Sequence, residues 1–330
     1  MPAWLVFLLS GGCVVLAGTV LSRSGDAISE RTGLGRVWVG AILVAAATSL
    51  PELTTGLYAV RQGDVNLTVG NLFGASMANM LILAVADLTL TRVRVLTRVA
   101  INQAVVGTLA VALTATAAVG ILTDQHLSLL GLGWAPLAIA FGYIAGMRII
   151  YLNRVGPPFL EPDEATVVAA KAAGLRRAAI SFVVAAAVVL VAARYLASSA
   201  VTVADQLGIT TGFMGIALLA ITTSLPEVTV TVASVRAGWY DLAVGNLLGS
   251  VAFNMLILLP LDLADRSGPL LAQVEPGVLV GALFACILIG QTLLEILNTS
   301  EERIWYLEPG AFFRVATYAL GLYLIFQMGS

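Results

Sequence analysis

TSLPELTTGLYAVRQGDVNLTVGNLFGASMANMLIL, residues 48–83, is written twice in this chain. The second copy, TSLPEVTVTVASVRAGWYDLAVGNLLGSVAFNMLIL, occupies residues 223–258 at a constant offset of 175, without a gap. Of the 36 aligned positions, 20 are identical, including TSLPE, the pair Arg61/Arg236, VGNL, Gly74/Gly249 and NMLIL from Asn79 and Asn254. Two apolar helices alike by chance would share Leu, Val and Ala, not Pro, Glu, Asn and Gly in register. The chain is an internal duplication, and the repeat decides the fold.

The surrounding composition says where this duplication lives. The 330 residues are 59% hydrophobic and only 11% charged, with a mean hydropathy of +0.96, against roughly 25% charge in an average soluble domain. Each crossing of a bilayer takes about 20 apolar residues. Ten spans are expected, at 3–21, 37–60, 65–87, 100–120, 129–151, 178–203, 211–235, 240–263, 276–297 and 309–327. The first lacks the basic residues that precede the apolar run of a cleaved signal, so it reads as a retained helix. What remains outside the spans is too short for a soluble domain, which argues against an enzyme. EER at Glu301 to Arg303 falls in a loop without partner histidines, and His126 reads as a surface residue. Cys13 and Cys286 fall in spans and read as packing residues.

The longest linker, residues 153–177, contains GPPFLEPDE and leaves five spans on each side: a first half, 1–152, carrying the repeat at about 40–87, and a second, 178–330, carrying it at about 215–262. An odd number of spans per half sends equivalent segments through the membrane in opposite directions. The expected fold is therefore an all-α integral membrane protein of about ten transmembrane helices, two inverted five-helix repeats with broken helices at 2/3 and 7/8. Secondary transporters use this plan, with substrate near the midplane between the halves. Arginines cluster in and beside alternate loops, near span ends (Arg23, Arg31, Arg36; Arg92, Arg94, Arg98; Arg148, Arg154, Lys171, Arg176, Arg177; Arg236, Arg303, Arg314), while Arg61 and Arg266 fall on the other side. Positive residues near span ends stay cytoplasmic. Both termini are expected outside a cell membrane.

Glu52 and Glu227 stand deep in apolar spans. There an ionised carboxylate costs on the order of 2.5 kcal/mol or more unless paired or hydrated, and neither span carries a basic residue in its interior. A bound cation or proton is the simplest compensation. Pro51 and Pro226 lack an N–H and break the helix ladder, releasing carbonyls of Ala47 and Thr222 and of Thr48 and Thr223. Such carbonyls at membrane depth are tolerated where protein or a polar cavity covers them. Thr48 shares a helix face with Glu52, and Thr223 with Glu227, while Ser49 and Ser224 add hydroxyls at the break. In the following span, Gly70 and Gly74, like Gly245 and Gly249, permit close helix packing, and Asn79 and Asn254 lie about two turns deeper. Ser250 lies four residues before Asn254, whereas the first copy has Ala75. Hard oxygens with a total charge of −2 match one Ca²⁺, two Na⁺ or two protons, and Ca²⁺ takes about 6–8 oxygens. Mg²⁺, which retains water, fits less well.

At these residues the sequence resembles the cation/Ca²⁺ exchanger superfamily, specifically the prokaryotic Na⁺/Ca²⁺ exchanger type. Its two alpha-repeats carry a TSLPE-like element and a GNxxGSNxxN-like element; here these read ATSLPE with GNLFGASMAN and TTSLPE with GNLLGSVAFN. The resemblance implies Ca²⁺ ligation by Glu52, Glu227 and the carbonyls of Thr48 and Thr223. It implies sites for Na⁺ or another coupling ion drawing on Ser49, Ser224, Ser250, Asn79, Asn254 and the carbonyls of Ala45 and Ala220, with spans 1 and 6 as sliding gate helices. It implies no cofactor. The partners it leaves are inorganic cations and the lipid bilayer, with no nucleic acid, on a monomer. Exchangers of this type commonly carry Asp where this chain has Asn254, so Na⁺ and H⁺ both stand as coupling ions, with Mg²⁺ or K⁺-coupled exchange on the same fold as further alternatives and a channel as the alternative from another class. Asp87 and Asp262 also match across the repeat and read as interfacial caps, and Glu295 as a residue facing the interface.

Overall fold

In a computed structural model the chain is a bundle of long helices, described for residues 2–90, 95–123, 128–129, 131–152, 165–206, 222–298 and 309–329. Eleven helices are named in chain order: α1 Ala3–Thr32, α2 Arg36–Thr48, α3 Leu50–Gln62, α4 Val65–Thr89, α5 Asn102–Thr123, α6 Trp134–Leu152, α7 Ala165–Gln206, α8 Leu225–Arg236, α9 Tyr240–Ala264, α10 Leu279–Leu297 and α11 Pro309–Gly329. By length and composition eight described helices can each cross a membrane, and nine if the bent pair α2/α3 is one span. The first half of the span expected at 211–235 lies outside the described residues.

Proline chemistry sets the two breaks. Pro51 and Pro226 sit in the first turn of α3 and α8, where a missing N–H costs nothing. The residue two before each proline leaves the helical conformation in the same way: Ser49 has φ −91°, ψ 4° and Ser224 has φ −82°, ψ 4°. At Ser49 the chain bends by 41°. Just before it, Val39–Val44 forms a π-helical turn, a looser winding frequent at functional sites. The far end of each broken helix is matched too. Gly63 (φ 84°) and Gly238 (φ 77°) take the left-handed backbone that glycine adopts without strain. Asp64 and Trp239, next in sequence, donate their N–H to the carbonyls of Ala59 at 3.0 Å and Ser234 at 2.8 Å.

The spans that follow, α4 and α9, are each continuous over 25 residues. Among the described residues the breaks fall at the prolines of spans 2 and 7, while GNLFG and GNLLG leave the helix unbroken and α9 stays helical through Pro260 as well. These two helices are the most buried spans, and α7 and α11 are among those most open to the bilayer. Around the central pair α5, α6 and α10 close the main core, which includes Phe73, Met77, Leu247, Leu248 and Ile139. The long helices α1 and α7 pack against each other, with Val14 and Leu21 and their repeat equivalents Val189 and Leu196 buried.

Three expectations change. α1 runs on to Thr32, past the end expected at residue 21, because no proline or left-handed glycine intervenes before Gly33; Arg23 and Arg31 are helical, and Arg36 pairs with Asp26 at 2.5 Å and Glu30 at 2.9 Å. Helix α7 begins at Ala165 and not near residue 178, so much of the linker is helical; its ATVVAAKAAGLRRAA stretch is alanine-rich and favours helix, and the candidate span begins within it at Gly174. Arg314 is more than an orienting charge near a span end. It is fully buried, with Nη2 3.4 Å from Asp87 Oδ2 and 3.2 Å from Glu295 Oε2, so Glu295 turns inward instead of facing the interface.

Candidate cation site

Each break delivers a carboxylate into the protein interior. Glu52 and Glu227 lie in the first turn of α3 and α8 and are 1% and 2% exposed. Each accepts a hydrogen bond from its own backbone N–H, the orientation expected where the exposed amides of a helix N-terminus meet an anion. The two acids lie within electrostatic range of one another, and the Thr48 hydroxyl of one repeat reaches the Glu227 carboxylate of the other. The repeats thus meet at these side chains.

Thr48 Oγ1 is also 3.2 Å from the carbonyl oxygen of Ala45, 3.2 Å from Asn246 Oδ1 and 3.3 Å from Ser250 Oγ. A hydroxyl has one proton to donate, yet three acceptors, Ala45 O, Asn246 Oδ1 and the Glu227 carboxylate, surround it. Unpaired buried oxygens recur at matched positions of the two repeats. Ser49 Oγ, Glu52 Oε2 and Asn79 Oδ1, and their equivalents Ser224 Oγ, Glu227 Oε2 and Asn254 Oδ1, are buried oxygens without a hydrogen-bond partner among the described residues. A buried polar atom left unpaired costs about 1–3 kcal/mol, and here six of them form three repeat-related pairs. Four of the six, the carboxylate and amide oxygens, can only accept, and the two serine hydroxyls can turn a lone pair to a cation, so the set offers hard oxygen ligands, beside one unpaired donor at Asn246 Nδ2. Among the described residues no cluster of three acid, His or Cys side chains occurs, so the charge is carried by two carboxylates and the remaining donors are neutral oxygens.

The packing of α2 against α9 brings Thr48 to Asn246 and Ser250. A Cβ on Gly245 would stand 3.0 Å from the Val37 carbonyl oxygen, and one on Gly249 would collide with the Ala41 backbone, so both glycines admit the backbone of α2. Gly40 does the same from the other side, where a Cβ would stand 2.8 Å from the Leu242 carbonyl oxygen. Gly70 and Gly74 make no comparable approach among the described residues; the equivalents of Val37 and Ala41, at 212 and 216, lie outside them. So does Ala220. The Ala45 carbonyl is within the site's reach but already accepts the Ser49 N–H at 3.0 Å as well as facing the Thr48 hydroxyl.

Two residues escaped the sequence reading. Asn246, the Asn of the second VGNL, is fully buried and bonds Thr48 across the repeats; its duplication at Asn71 was the available signal. Arg314 gave none, because nothing in its own helix predicts that Asp87 and Glu295 face it. The matched aspartates do cap the chain ahead. Asp87 accepts the Val95 N–H at 2.6 Å, and Asp262 accepts that of Leu270 at 2.6 Å, the same contact at the same offset, together with that of Gly133 at 2.9 Å.

A family model described as sodium/calcium exchanger protein matches residues 2–148 and 177–328, nearly the whole chain. The chain belongs to that family. Relatives of this exchanger include the putative antiporter CaxA of Alkalimonas amylolytica, 27% identical over 71% of this chain and 72% of that one. The inner membrane protein YrbG of Escherichia coli K12 is 29% identical over 78% and 76%. The sodium/calcium exchanger MaX1 of Methanosarcina acetivorans is 33% identical, over 28% of this chain and 29% of that one. Structures of the exchanger NCX_Mj have the same fold: soaked with 10 mM Na⁺ and zero Ca²⁺ it superposes with a TM-score of 0.75 at 20% identity, covering 97% of this chain and 98% of that one. This exchanger is thus a multi-pass membrane transporter and not an enzyme, folded as inverted repeats.

Proposed function

We propose that this exchanger carries Ca²⁺ across the cell membrane in return for Na⁺ by alternating access. The observation that carries the reading is the buried pair Glu52 and Glu227 within a set of repeat-related, unpaired oxygens. Two carboxylates balance one Ca²⁺ or two monovalent ions, which is the condition for carrying one or the other but not both. The four carboxylate oxygens, the carbonyls of Thr48 and Thr223 and water suffice for the about 6–8 ligands that Ca²⁺ takes. Ser49, Ser224, Ser250, Asn79 and Asn254 are the neutral oxygens left for Na⁺. The arginine-rich loops orient the protein with both termini outside, and the halves 1–152 and 178–330 exchange access by movement of α1 and α7 over the broken helices. A monomer contains the whole site.

Exchange of Ca²⁺ for H⁺ is the second reading. Asn254 stands where exchangers of this type commonly carry Asp, and a site with only two charges has fewer ligands to spare for several Na⁺ ions. Uptake of ⁴⁵Ca²⁺ into proteoliposomes under an imposed Na⁺ gradient, an imposed pH gradient, or neither separates the readings. Na⁺-driven uptake supports the first. Uptake that ignores Na⁺ and follows pH replaces it with the second, and conductance without saturation or counter-ion removes both.

A further inference from the structure

Between α1 and α8 lies a cleft of about 550 Å³ whose lining does not include Glu52 or Glu227. Val15, Leu225, Val228 and Val232 form apolar walls, and Arg23, Arg236 and Trp239 line it at the end where α8 stops. Both arginines are exposed, and neither forms an ion pair among the described residues. From Arg236 back to Leu225 the helix advances about 16 Å at about 1.5 Å per residue, half of the roughly 30 Å hydrocarbon thickness. The cleft therefore reaches from the membrane interface to the level of the Ser224 break, the depth of one leaflet. It is open sideways to the bilayer, where Val15 is 45% exposed.

We propose that this cleft seats one phospholipid with an anionic headgroup, its phosphate held by Arg23 and Arg236 and one acyl chain laid along the valines. Guanidinium groups bind phosphate through paired charge-assisted hydrogen bonds, and a Trp at headgroup depth fits the aromatic belt of membrane proteins. The repeat supplies an internal contrast. Arg236 has its counterpart in Arg61, but at the same offset Arg23 becomes Ser198 and Trp239 becomes Asp64. The equivalent place in the other leaflet thus has one arginine beside an acid, which repels an anionic headgroup. Free phosphate would satisfy the two arginines and leave the apolar groove without purpose, so the lipid is the occupant the whole cleft fits.

Native mass spectrometry of the full-length protein, released from detergent with phosphatidylglycerol or phosphatidylcholine of equal chain length, tests this directly. One phosphatidylglycerol per chain is expected to be retained in preference to phosphatidylcholine. The double variant Arg23→Gln with Arg236→Gln should lose that preference by about tenfold or more, a change of about 1.4 kcal/mol or more, because both charge-assisted bonds to the phosphate are removed. Val232→Trp, which leaves both arginines and fills the groove, should lose phosphatidylglycerol as well, while Arg61→Gln should keep it. Retention unchanged in the double variant, or in Val232→Trp, overturns the proposal, as does equal binding of the two lipids or displacement of phosphatidylglycerol by inorganic phosphate alone. None of these readouts depends on which ions are exchanged.

Discussion

Substituting Gly249 by alanine attacks the one contact on which the shape of the site depends. The new Cβ would lie 2.5 Å from Ala41 Cα and 2.7 Å from its carbonyl carbon, and closer still to the carbonyl oxygen. All three are backbone atoms, so no side chain can rotate away, and restoring ordinary contact requires α2 and α9 to part by about 1 Å. Overpacking of this kind costs typically about 1–3 kcal/mol, occasionally more. The same separation pulls Thr48 away from Asn246 and Ser250, now 3.2 and 3.3 Å distant. Gly245→Ala is the graded comparison, because its Cβ would meet the Val37 oxygen at 3.0 Å and the Ala41 nitrogen at 3.3 Å, a clash of a few tenths of an ångström. Thermal unfolding in detergent, followed beside ⁴⁵Ca²⁺ uptake in proteoliposomes, should show Gly249→Ala destabilised by several degrees with flux strongly reduced, and Gly245→Ala affected less. A Gly249→Ala protein that melts and transports like the wild type would refute the claim that the approach of α2 to α9 builds the site.

Glu52→Gln and Glu227→Gln should each abolish Ca²⁺ flux while leaving the protein folded; normal flux in either variant would remove that glutamate from the ion site. Asn254→Asp adds the acid that the site lacks and should raise the apparent Na⁺ affinity in Na⁺-dependent Ca²⁺ uptake, whereas an unchanged affinity would show that a missing charge does not limit Na⁺ binding. Arg314→Gln strands Asp87 and Glu295 as buried anions and should cost about 3–5 kcal/mol, read as a large fall in melting temperature; Arg314→Lys, retaining charge but not the fork, should lie between. Asp262→Asn replaces an oxygen that accepts the Gly133 or the Leu270 N–H by an amide that can only donate there, and should cost about 1–3 kcal/mol. An unchanged melting temperature would show that the pinned loops are not limiting.

Much of this protein follows from local rules that its sequence carries openly. The span lengths answer the thickness of the bilayer, and the odd number of spans per half requires the inversion. Pro51 and Pro226 place the breaks because a missing N–H acts on its own helix turn, wherever that helix stands. Glu52 and Glu227 stand out as candidate site residues for a similar reason: an acid in an apolar span has a cost that does not depend on its neighbours. The tertiary structure decided what depends on neighbours. Arg314 looked like a topological charge until α4 and α10 placed Asp87 and Glu295 around it, and Asn246 looked like part of a packing motif until the opposite repeat presented Thr48. Gly245 and Gly249 show close approach to the opposing backbone among the described residues, although Gly70 and Gly74 carry the same letters. Helix periodicity and proline act within a few residues of one strand of chain, whereas hydrogen-bond partners 198 or 227 positions away are set by how two helices cross, and that crossing is a property of the folded molecule.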